Sequence, residues 1–555
     1  MARSFNIDKC CVEDYTLLYD DELLSNCVPR VLRKSILVSP DTGAVIRTEI
    51  SLSFEQQSED GQVKNVSYDV SVKELERLKL VDVDIDFYAK SDKLVVDYIK
   101  TLIPEAPTVR KYYFDSFGWW HVDGRYIFNC GDEMIGNVEN IDYIVSRELS
   151  GIHMVTDADL TPQDTFKAVW NIFANDGKTR LIILYIFGAV LRQLFKDAGY
   201  FPKTVLYIEA RTQSGKTTCV QGIGCPFVSA NGTFPNYTRV SSTQAVVEEA
   251  ISFFKDTLYI YDDVYCDSDT KIRRAIEERV KGILRNSADD APRNKKGASN
   301  QINAQLLLIG EELIDSSSNI GRLLVIKLKH KYSSEFLSTI RSNKQHINTF
   351  YFHFIRWLAE KYDDIVADIK HEFEVFSNGQ RGEISRDFDT RFFFNYIARV
   401  FCRYACECSD MTKEQMSYTL KGISGELDDV LVENKKIFEE AVKIETATKE
   451  INYSRVLCEC IEREYIYPGK KGSDFFKHTC KGQKCYFIRC ELLQKVLLQH
   501  YSRKDSAKKI VDYFRRRMIG IFEADGRIRQ YKDNKKRYLV LKIDELRRDA
   551  HNDMY

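Results

Sequence analysis

Net charge is what this chain has least of: 81 lysines and arginines face 82 aspartates and glutamates over 555 residues. Bulk charge therefore neither marks nor excludes a nucleic-acid partner, and only local patches carry that information. A long hydrophobic run is also missing. The most apolar helix candidate, residues 181–195, is too short for a bilayer and contains Arg192, so it reads as a core helix. The first eight residues are polar and mixed in charge, without the layout of a signal peptide. No C-x-x-C pair occurs among Cys458, Cys460, Cys480, Cys485 and Cys490, and with His478 their spacings match no common zinc module. Cys402, Cys406 and Cys408 share a helical stretch and read as packing. Fifteen cysteines without a secretion signal lead us to expect reduced thiols in a cytoplasm. The remaining profile, 44% hydrophobic and 29% charged, is that of a soluble globular chain long enough for three or four domains.

One more absence falls inside the most informative stretch. An apolar run, 205–208, leads through Glu209 into Ala210-Arg211-Thr212-Gln213-Ser214-Gly215-Lys216-Thr217-Thr218 and then into a helical pattern. Strand, short polar loop ending Gly-Lys-Thr, helix: this is the layout of a phosphate-binding P-loop. Loop and first-turn N–H groups converge, and the helix dipole adds partial positive charge at the same point. Residues 210–218 are the candidate nucleotide cradle, with Lys216 reaching the outer phosphates of ATP and the Thr217 hydroxyl holding Mg²⁺. The first glycine of the usual motif is absent; Ala210 stands there, so the loop must enter with an ordinary backbone. A plain strand–turn–helix remains open on this stretch alone.

A second apolar run, 258–261, ends in Asp262 and Asp263, as a buried Walker B strand would. Asp262 is the second candidate Mg²⁺ ligand. Asp263 would orient the attacking water, a task usually given to the longer glutamate. A third run, 305–309, ends at Gly310-Glu311-Glu312, and a fourth, 323–328, follows Gly321-Arg322. Buried strands with functional groups at their ends fit an open α/β sheet that binds its ligand on that edge.

The flanks are less specific. Alternating runs at 32–38, 44–54 and 63–72, split by turn signals at 40–43 and 58–61, predict strands; helices are expected at 72–80 and 90–102. Asp123-Gly124 marks a tight hairpin carrying Trp119, Trp120, Tyr126 and Phe128, which read as sheet core more readily than as base-stacking groups. Thr161-Pro162-Gln163-Asp164 reads as a helix start, with helices at about 164–175 and 178–197. The loop 288–300 carries Arg293, Lys295 and Lys296 and suits either a basic hairpin tip on a phosphate backbone or a solvated loop. Residues 335–447 are amphipathic and helical. At the C-terminus, helices at about 453–464, 490–501 and 505–518 precede strand signals at 520–523, 527–531 and 537–541, suggesting a winged helix-turn-helix. Its candidate DNA contacts are Lys508, Lys509, Arg515 and Arg516 on the helix, and Lys535 and Lys536 on the wing. A charged domain that docks on a protein is the alternative.

In this order the pieces resemble the MCM-like AAA+ replicative helicases of mobile elements, such as those of staphylococcal chromosome cassettes. The matching stretches are Gly118-Trp119, the run 124–128, the P-loop, Asp262-Asp263, the run 309–312 and Gly321-Arg322, which together cover roughly residues 90–335. The resemblance implies a ring, a hexamer, with ATP between subunits. It implies Arg322 as the finger that reaches a neighbour's γ-phosphate, and 288–300 as a pore hairpin gripping DNA. It puts Glu311 nearest the sensor-1 position, where a small polar residue is usual.

The fold expected is α/β: an AAA+ type P-loop core with an N-terminal α+β region, a helical linker and a C-terminal winged helix. The expected divisions are 1–105, 106–159 (hairpin adaptor), 160–335 (core), 336–448 (helical) and 449–555 (winged helix). The expected function is an ATP- and Mg²⁺-dependent DNA helicase or translocase in replication of a mobile element or phage. It would act on single-stranded or forked DNA with replication partners, and without a membrane. Two rivals stand beside it: an AAA+ remodelling switch or loader that does not unwind, and a winged-helix DNA binder whose P-loop is inactive.

Overall fold

A computed structural model describes residues 5–551 apart from 59, 240–241, 243, 265–269, 289–292, 296–297, 301–302, 314–319, 379–385, 410, 450–451, 502–504, 522–529 and 534–535. The chain divides into two compact units, Met1–Phe438 and Glu439–Tyr555. No helix among the described residues is long and apolar enough to cross a membrane.

The first unit opens with a three-stranded antiparallel sheet, Cys10–Glu13, Thr16–Tyr19 and Glu22–Ser25, and continues into a mixed five-stranded one. Val28–Val38, Val45–Gln57 and Val63–Ser71 pair antiparallel, as their alternation predicts. Thr108–Phe114 then joins parallel to Val28–Val38, and Tyr143–Val145 joins parallel to Thr108–Phe114. Helix Asp92–Leu102 buries Val95, Val96 and Ile99 in the core beneath. The helix expected over 72–80 is two short ones, Val72–Leu75 and Leu80–Val83. The Asp92 carboxylate accepts the Leu80 N–H at 3.1 Å, so that group is satisfied outside a continuous helix. The stretch 131–160 contains three short strands, Met134–Gly136, Tyr143–Val145 and Ile152–Met154.

The aromatic hairpin is present, Gly118–Val122 against Arg125–Asn129, turning at Asp123 and Gly124, both at positive φ. Its rings are core. Trp119 and Phe128 are buried, and Trp119 Nε1 donates to the Val190 carbonyl at 2.6 Å. The hairpin is tied to the segment ahead of a central strand. Lys255 Nζ donates to the Trp119 carbonyl at 2.7 Å and sits over the Trp120 ring, and Asp256 Oδ2 accepts the Trp119 N–H at 3.1 Å. Gly118 has no substitute there: at φ +95 a Cβ would lie 2.6 Å from the Lys255 carbonyl oxygen.

The centre of this unit is a five-stranded sheet: β1 (Val205–Glu209), β2 (Tyr237–Arg239), β3 (Leu258–Val264), β4 (Gln305–Gly310) and β5 (Leu323–Lys327). The order is β2-β3-β4-β1-β5, and every neighbouring pair is parallel. Both faces are covered, which is why these strands read as near-continuous apolar runs. One covering helix, Gly177–Gly188, is apolar all round and is buried from Leu181 to Gly188. Asp176 starts it by accepting the Thr179 N–H, and the helix expected to continue to 197 is interrupted by a 3₁₀ turn, Ala189–Leu191. Helix Pro162–Phe173 begins with the expected cap, Thr161 and Asp164 exchanging side chain for backbone in both directions. Helices Lys344–Glu360, Tyr362–Asn378, Arg386–Cys408 and Lys413–Lys449 supply the helical part.

The second unit has helices Tyr453–Glu462, Cys490–Tyr501, Ala507–Arg516 and Ile543–His551 around an antiparallel sheet. The sheet runs Phe475–Cys480, Gln483–Ile488, Lys536–Lys542, Gln530–Asp533 in space. The hairpin 475–488 and the last helix were not foreseen. Gln530–Asp533 is strand, so it runs two residues past the strand expected to end at 531. Most of the expected strands 520–523 and 527–531 lies outside the described residues.

β5 is an edge strand, and its open side is covered by one amide. Asn434 Oδ1 accepts the Val325 N–H at 2.7 Å, and Asn434 Nδ2 donates to the Val325 carbonyl at 2.8 Å, mimicking a sixth strand. Val325 is buried, so Asn434→Ala leaves two desolvated backbone groups and is expected to cost roughly 1–3 kcal/mol. Amide exchange at Val325 checks this: it should accelerate in the variant while amides of β3, next to the other edge of the sheet, change little.

Candidate nucleotide-binding site

β1 ends at Glu209, and the loop 210–215 leads into α1 (Lys216–Gly224). Ala210 keeps an ordinary backbone, and the left-handed positions fall on Gln213 (φ 59) and Gly215 (φ 84). Gly215 caps α1, and a Cβ there would meet Leu337 Cδ1 at 2.7 Å. The loop is held at both ends: Ala210 N–H donates to the Gly310 carbonyl at 3.1 Å, and Tyr332 N–H donates to the Ser214 carbonyl at 3.0 Å. Lys216 is 8% exposed, and its Nζ donates to the carbonyls of Ala210 at 2.8 Å and Arg211 at 3.5 Å. Arg211, Thr212 and Gln213 are exposed, while Thr218 is half-buried in the first turn. Ser214 Oγ is buried and has no hydrogen-bond partner.

Asp262 comes to this loop from β3. Thr217 Oγ1 donates to Asp262 Oδ2 at 2.8 Å. Asp262 is 1% exposed, and two further groups hold it: Tyr237 OH donates to Oδ2 at 2.9 Å, and the Asp263 N–H donates to Oδ1 at 2.7 Å. Three donors thus satisfy one buried carboxylate. Burial, foremost, pushes the Tyr237 phenol up to about 12, so it stays a proton donor at neutral pH. The two acids sit in a bulge, because the β3–β4 register slips between Tyr261 and Val264. The bulge puts Asp263 at φ 59 with its side chain 54% exposed, 3.5 Å from Arg239 Nε. Glu311 follows β4 and accepts a hydrogen bond from Thr212 Oγ1, across the loop from Lys216.

Lys216, Thr217, Asp262, Asp263 and Glu311 thus come from the carboxyl ends of β1, β3 and β4, the edge where parallel sheets bind ligands. Arg322 does not join them. It precedes β5, whose first residue Leu323 pairs with Val205 at the start of β1, so it lies on the opposite edge of the sheet. There it lines a cavity of about 300 Å³ with Lys203, Arg386 and Asp389. Arg293 and Lys295 lie in a short strand paired with Ala298–Asn300, of which only the backbone is described, and Lys296 lies outside the described residues. Lys508, Lys509, Arg515 and Arg516 are exposed on Ala507–Arg516; Lys509 pairs with Asp505 at 2.9 Å and Arg515 with Asp512 at 3.4 Å. Lys535 lies outside the described residues, and only the backbone of Lys536 is described.

Sequence reasoning missed four residues here. Tyr237 and Arg239 lie on a three-residue strand too short to show a period. The other two hold the far end of α1. Asn236 Nδ2 donates to the carbonyls of Gly224 and Leu258, both at 2.9 Å, and Lys344 Nζ donates to those of Gly222 at 3.0 Å and Cys225 at 2.7 Å. Helix C-termini leave carbonyls unpaired, and a cation among them is favourable.

The donor set suits a nucleotide with its metal. A hydroxyl and a carboxylate meet as hard oxygen ligands, and the buried Ser214 hydroxyl lacks a partner beside them. No family model and no curated protein sequence matches the chain. Its fold is similar to that of a solved structure, the active helicase Cch of SCCmec type IV. The TM-score is 0.51 at 10% identity, over 98% of this chain and 99% of that one. The likeness is one of fold, and it is the one that the motif resemblance leads us to expect. The solved JCV helicase matches 46% of this chain and 75% of its own at 8% identity, with a TM-score of 0.22, too low to argue from.

Burial of the Lys344 ammonium lowers its pKa to about 8, below the 10.5 of a free lysine. Between those values the unfolded chain binds more protons than the folded one, so this residue's contribution to stability rises with pH across that window. The Cys225 thiol beside it, pushed up to about 12 by burial, stays neutral there. Melting of wild type and Lys344→Met at pH 7 and 9.5 checks the sign: the wild-type advantage should be larger at pH 9.5.

Proposed function

We propose that this chain hydrolyses ATP and uses the energy as a DNA helicase or translocase, acting as a ring in the replication of a mobile element or phage. The observation that carries the reading is the 2.8 Å contact of Thr217 Oγ1 with the buried Asp262 carboxylate, beside a lysine that opens a glycine-capped helix. In this reading residues 160–335 are an AAA+ core, 1–105 and 106–159 an N-terminal domain and adaptor, 336–448 a helical domain, and 449–555 a winged-helix domain. The fold likeness to the Cch helicase supports it at the level of architecture.

Thr217 and Asp262 would hold Mg²⁺, which when bound neutralises phosphate charge and polarises the terminal phosphoryl group. The N–H groups of 211–218 would cradle the phosphates. Lys216 would exchange the carbonyls of Ala210 and Arg211 for outer phosphate oxygens, and Ser214 Oγ would gain a partner. Asp263 would orient water once it leaves Arg239, and Glu311 would sense the loop through Thr212. Arg322, on the far edge of its own sheet, would serve the site of a neighbouring copy in a hexamer. The hairpin at Arg293, Lys295 and Lys296 would track single-stranded or forked DNA. Lys508, Lys509, Arg515, Arg516, Lys535 and Lys536 would be further phosphate contacts. Replication partners and a cytoplasmic setting follow from the same reading.

Turnover of ATP by wild type and Lys216→Ala, with and without single-stranded DNA, tests this. Removing the lysine charge from the developing phosphoryl charge should slow turnover on the order of 100-fold or more, and DNA should stimulate the wild type several-fold. Turnover indifferent to DNA would favour the remodelling switch. Equal silence of both proteins across Mg²⁺ and DNA conditions would leave the inactive P-loop binder as the better account.

A further inference from the structure

The basic residues of the second unit are not spread evenly. Residues 439–555 hold 27 lysines and arginines against 18 aspartates and glutamates, although the whole chain is balanced. On helix Ala507–Arg516 and just after it, much of that charge is answered locally: Lys509 by Asp505, Arg515 by Asp512, and Arg517 by Asp549. The hairpin that the sequence reading overlooked is different. Between 465 and 489 the only acid is Asp474, which pairs with Arg489 at 3.1 Å. Lys470, Lys471, Lys477 and Lys484 have no such counterpart in the segment.

The fold gathers these lysines. Strands Phe475–Cys480 and Gln483–Ile488 pair in register, with Lys481 (φ 47) and Gly482 (φ 75) forming the two-residue turn. The basal half is core: Phe475, Phe476, Phe487 and Ile488 are buried. The distal half is exposed at Lys477, His478, Thr479, Lys481, Gln483 and Lys484. Thr479 pairs with Lys484 and Lys477 with Tyr486, so Lys477 and Lys484 share one face, with Lys481 at the tip. Gly469 N–H donates to the Phe475 carbonyl at 2.8 Å, which lays the 469–473 turn, with exposed Lys470 and Lys471, along the same strand. Tyr467, 64% exposed, stands just before it.

We propose that this hairpin is a nucleic-acid contact surface, with Lys477, Lys481 and Lys484 set against the phosphate backbone. Diagonal same-face neighbours on paired strands, as Lys477 and Lys484 are, lie about 7 to 8 Å apart, a spacing comparable to that of successive phosphates. A twisted two-stranded ribbon also has the width that a major groove admits. The exposed side chains of the distal half are polar, so no apolar groove for an acidic peptide lies beside the charge. The inference goes beyond the proposed function, which puts the contacts of this unit on helix Ala507–Arg516 and a later wing, and it does not depend on an active nucleotide site.

The test uses the full chain carrying Lys477→Ala, Lys481→Ala and Lys484→Ala together, with a Lys→Arg triple as the charge-retaining control. Binding of a labelled DNA duplex and of a single strand is followed by anisotropy over a salt series. Each phosphate neutralised contributes about 0.9 to the slope of log affinity against log salt on duplex, so the alanine triple should lower that slope by about 2 to 3 and weaken binding at least tenfold at physiological salt. The arginine triple should bind as wild type. DNA-independent ATP turnover, where present, should be unchanged, which separates failure of this surface from failure of the nucleotide site. An unchanged slope in a normally folded alanine triple overturns the proposal. So does loss of binding to phosphatidylserine vesicles with DNA binding intact, which would assign the surface to anionic lipid.

Discussion

Everything at the candidate site depends on satisfying one buried carboxylate. Asp262 is 1% exposed, and a polar group buried without hydrogen-bond partners is costly. Three donors supply them, each from a different place: the Thr217 hydroxyl from α1, the Tyr237 phenol from β2, and the Asp263 N–H from its own bulge. The carboxylate therefore fixes the P-loop helix, the neighbouring strand and the bulge relative to one another. The bulge also separates the two acids: Asp262 is turned inward to the helix, and Asp263 outward to Arg239.

The P-loop helix is secured at its other end with equal care. Its N-terminus needs Gly215 in a left-handed conformation, pressed against Leu337. Its C-terminal carbonyls are taken by Asn236 and Lys344, and Asn236 also bonds the first carbonyl of β3. A shift of α1 along its axis would break bonds at both ends. The helix that starts at Lys344 and the strand that carries Asp262 are thus mechanically joined to the loop that would meet a nucleotide. In the same unit the aromatic hairpin is clamped through Lys255 and Asp256, directly ahead of β3.

What the sequence made legible were features with a local cause. Parallel strands buried on both faces read as apolar runs, Thr161 with Asp164 spells a helix start, and Asp123-Gly124 spells a hairpin. Ala210 was readable as an ordinary backbone because the left-handed geometry is required two positions before the lysine's glycine, at Gln213, and at Gly215 itself. What stayed hidden were partners fixed by the tertiary fold. Lys344 caps a helix more than a hundred positions earlier, Asn434 completes a strand edge, and Tyr237 lies on a strand of three residues. The hairpin 475–488 was passed over for another reason. Its Phe-Phe and Tyr-Phe-Ile runs flank a lysine-rich tip around a Lys-Gly turn, and neither strand alternates, because the basal half is buried on both faces and most of the distal half is exposed.

Arg322 shows how sheet direction constrains a functional reading. In a parallel sheet all strands enter at one edge and leave at the other, so a residue before β5 and a loop after β1 are separated by the length of the strands. Five residues at about 3.3 Å each amount to roughly 16 Å, beyond the reach of an arginine side chain. Arg322 cannot complete the site of its own chain, and any role on a phosphate requires a second copy that presents its entry edge to this exit edge. Such a contact is head-to-tail, and repeated head-to-tail contacts close only as rings or continue as filaments. A role for Arg322 on this site's phosphates and a head-to-tail assembly are therefore a single hypothesis: the geometry of the sheet does not permit the first without the second.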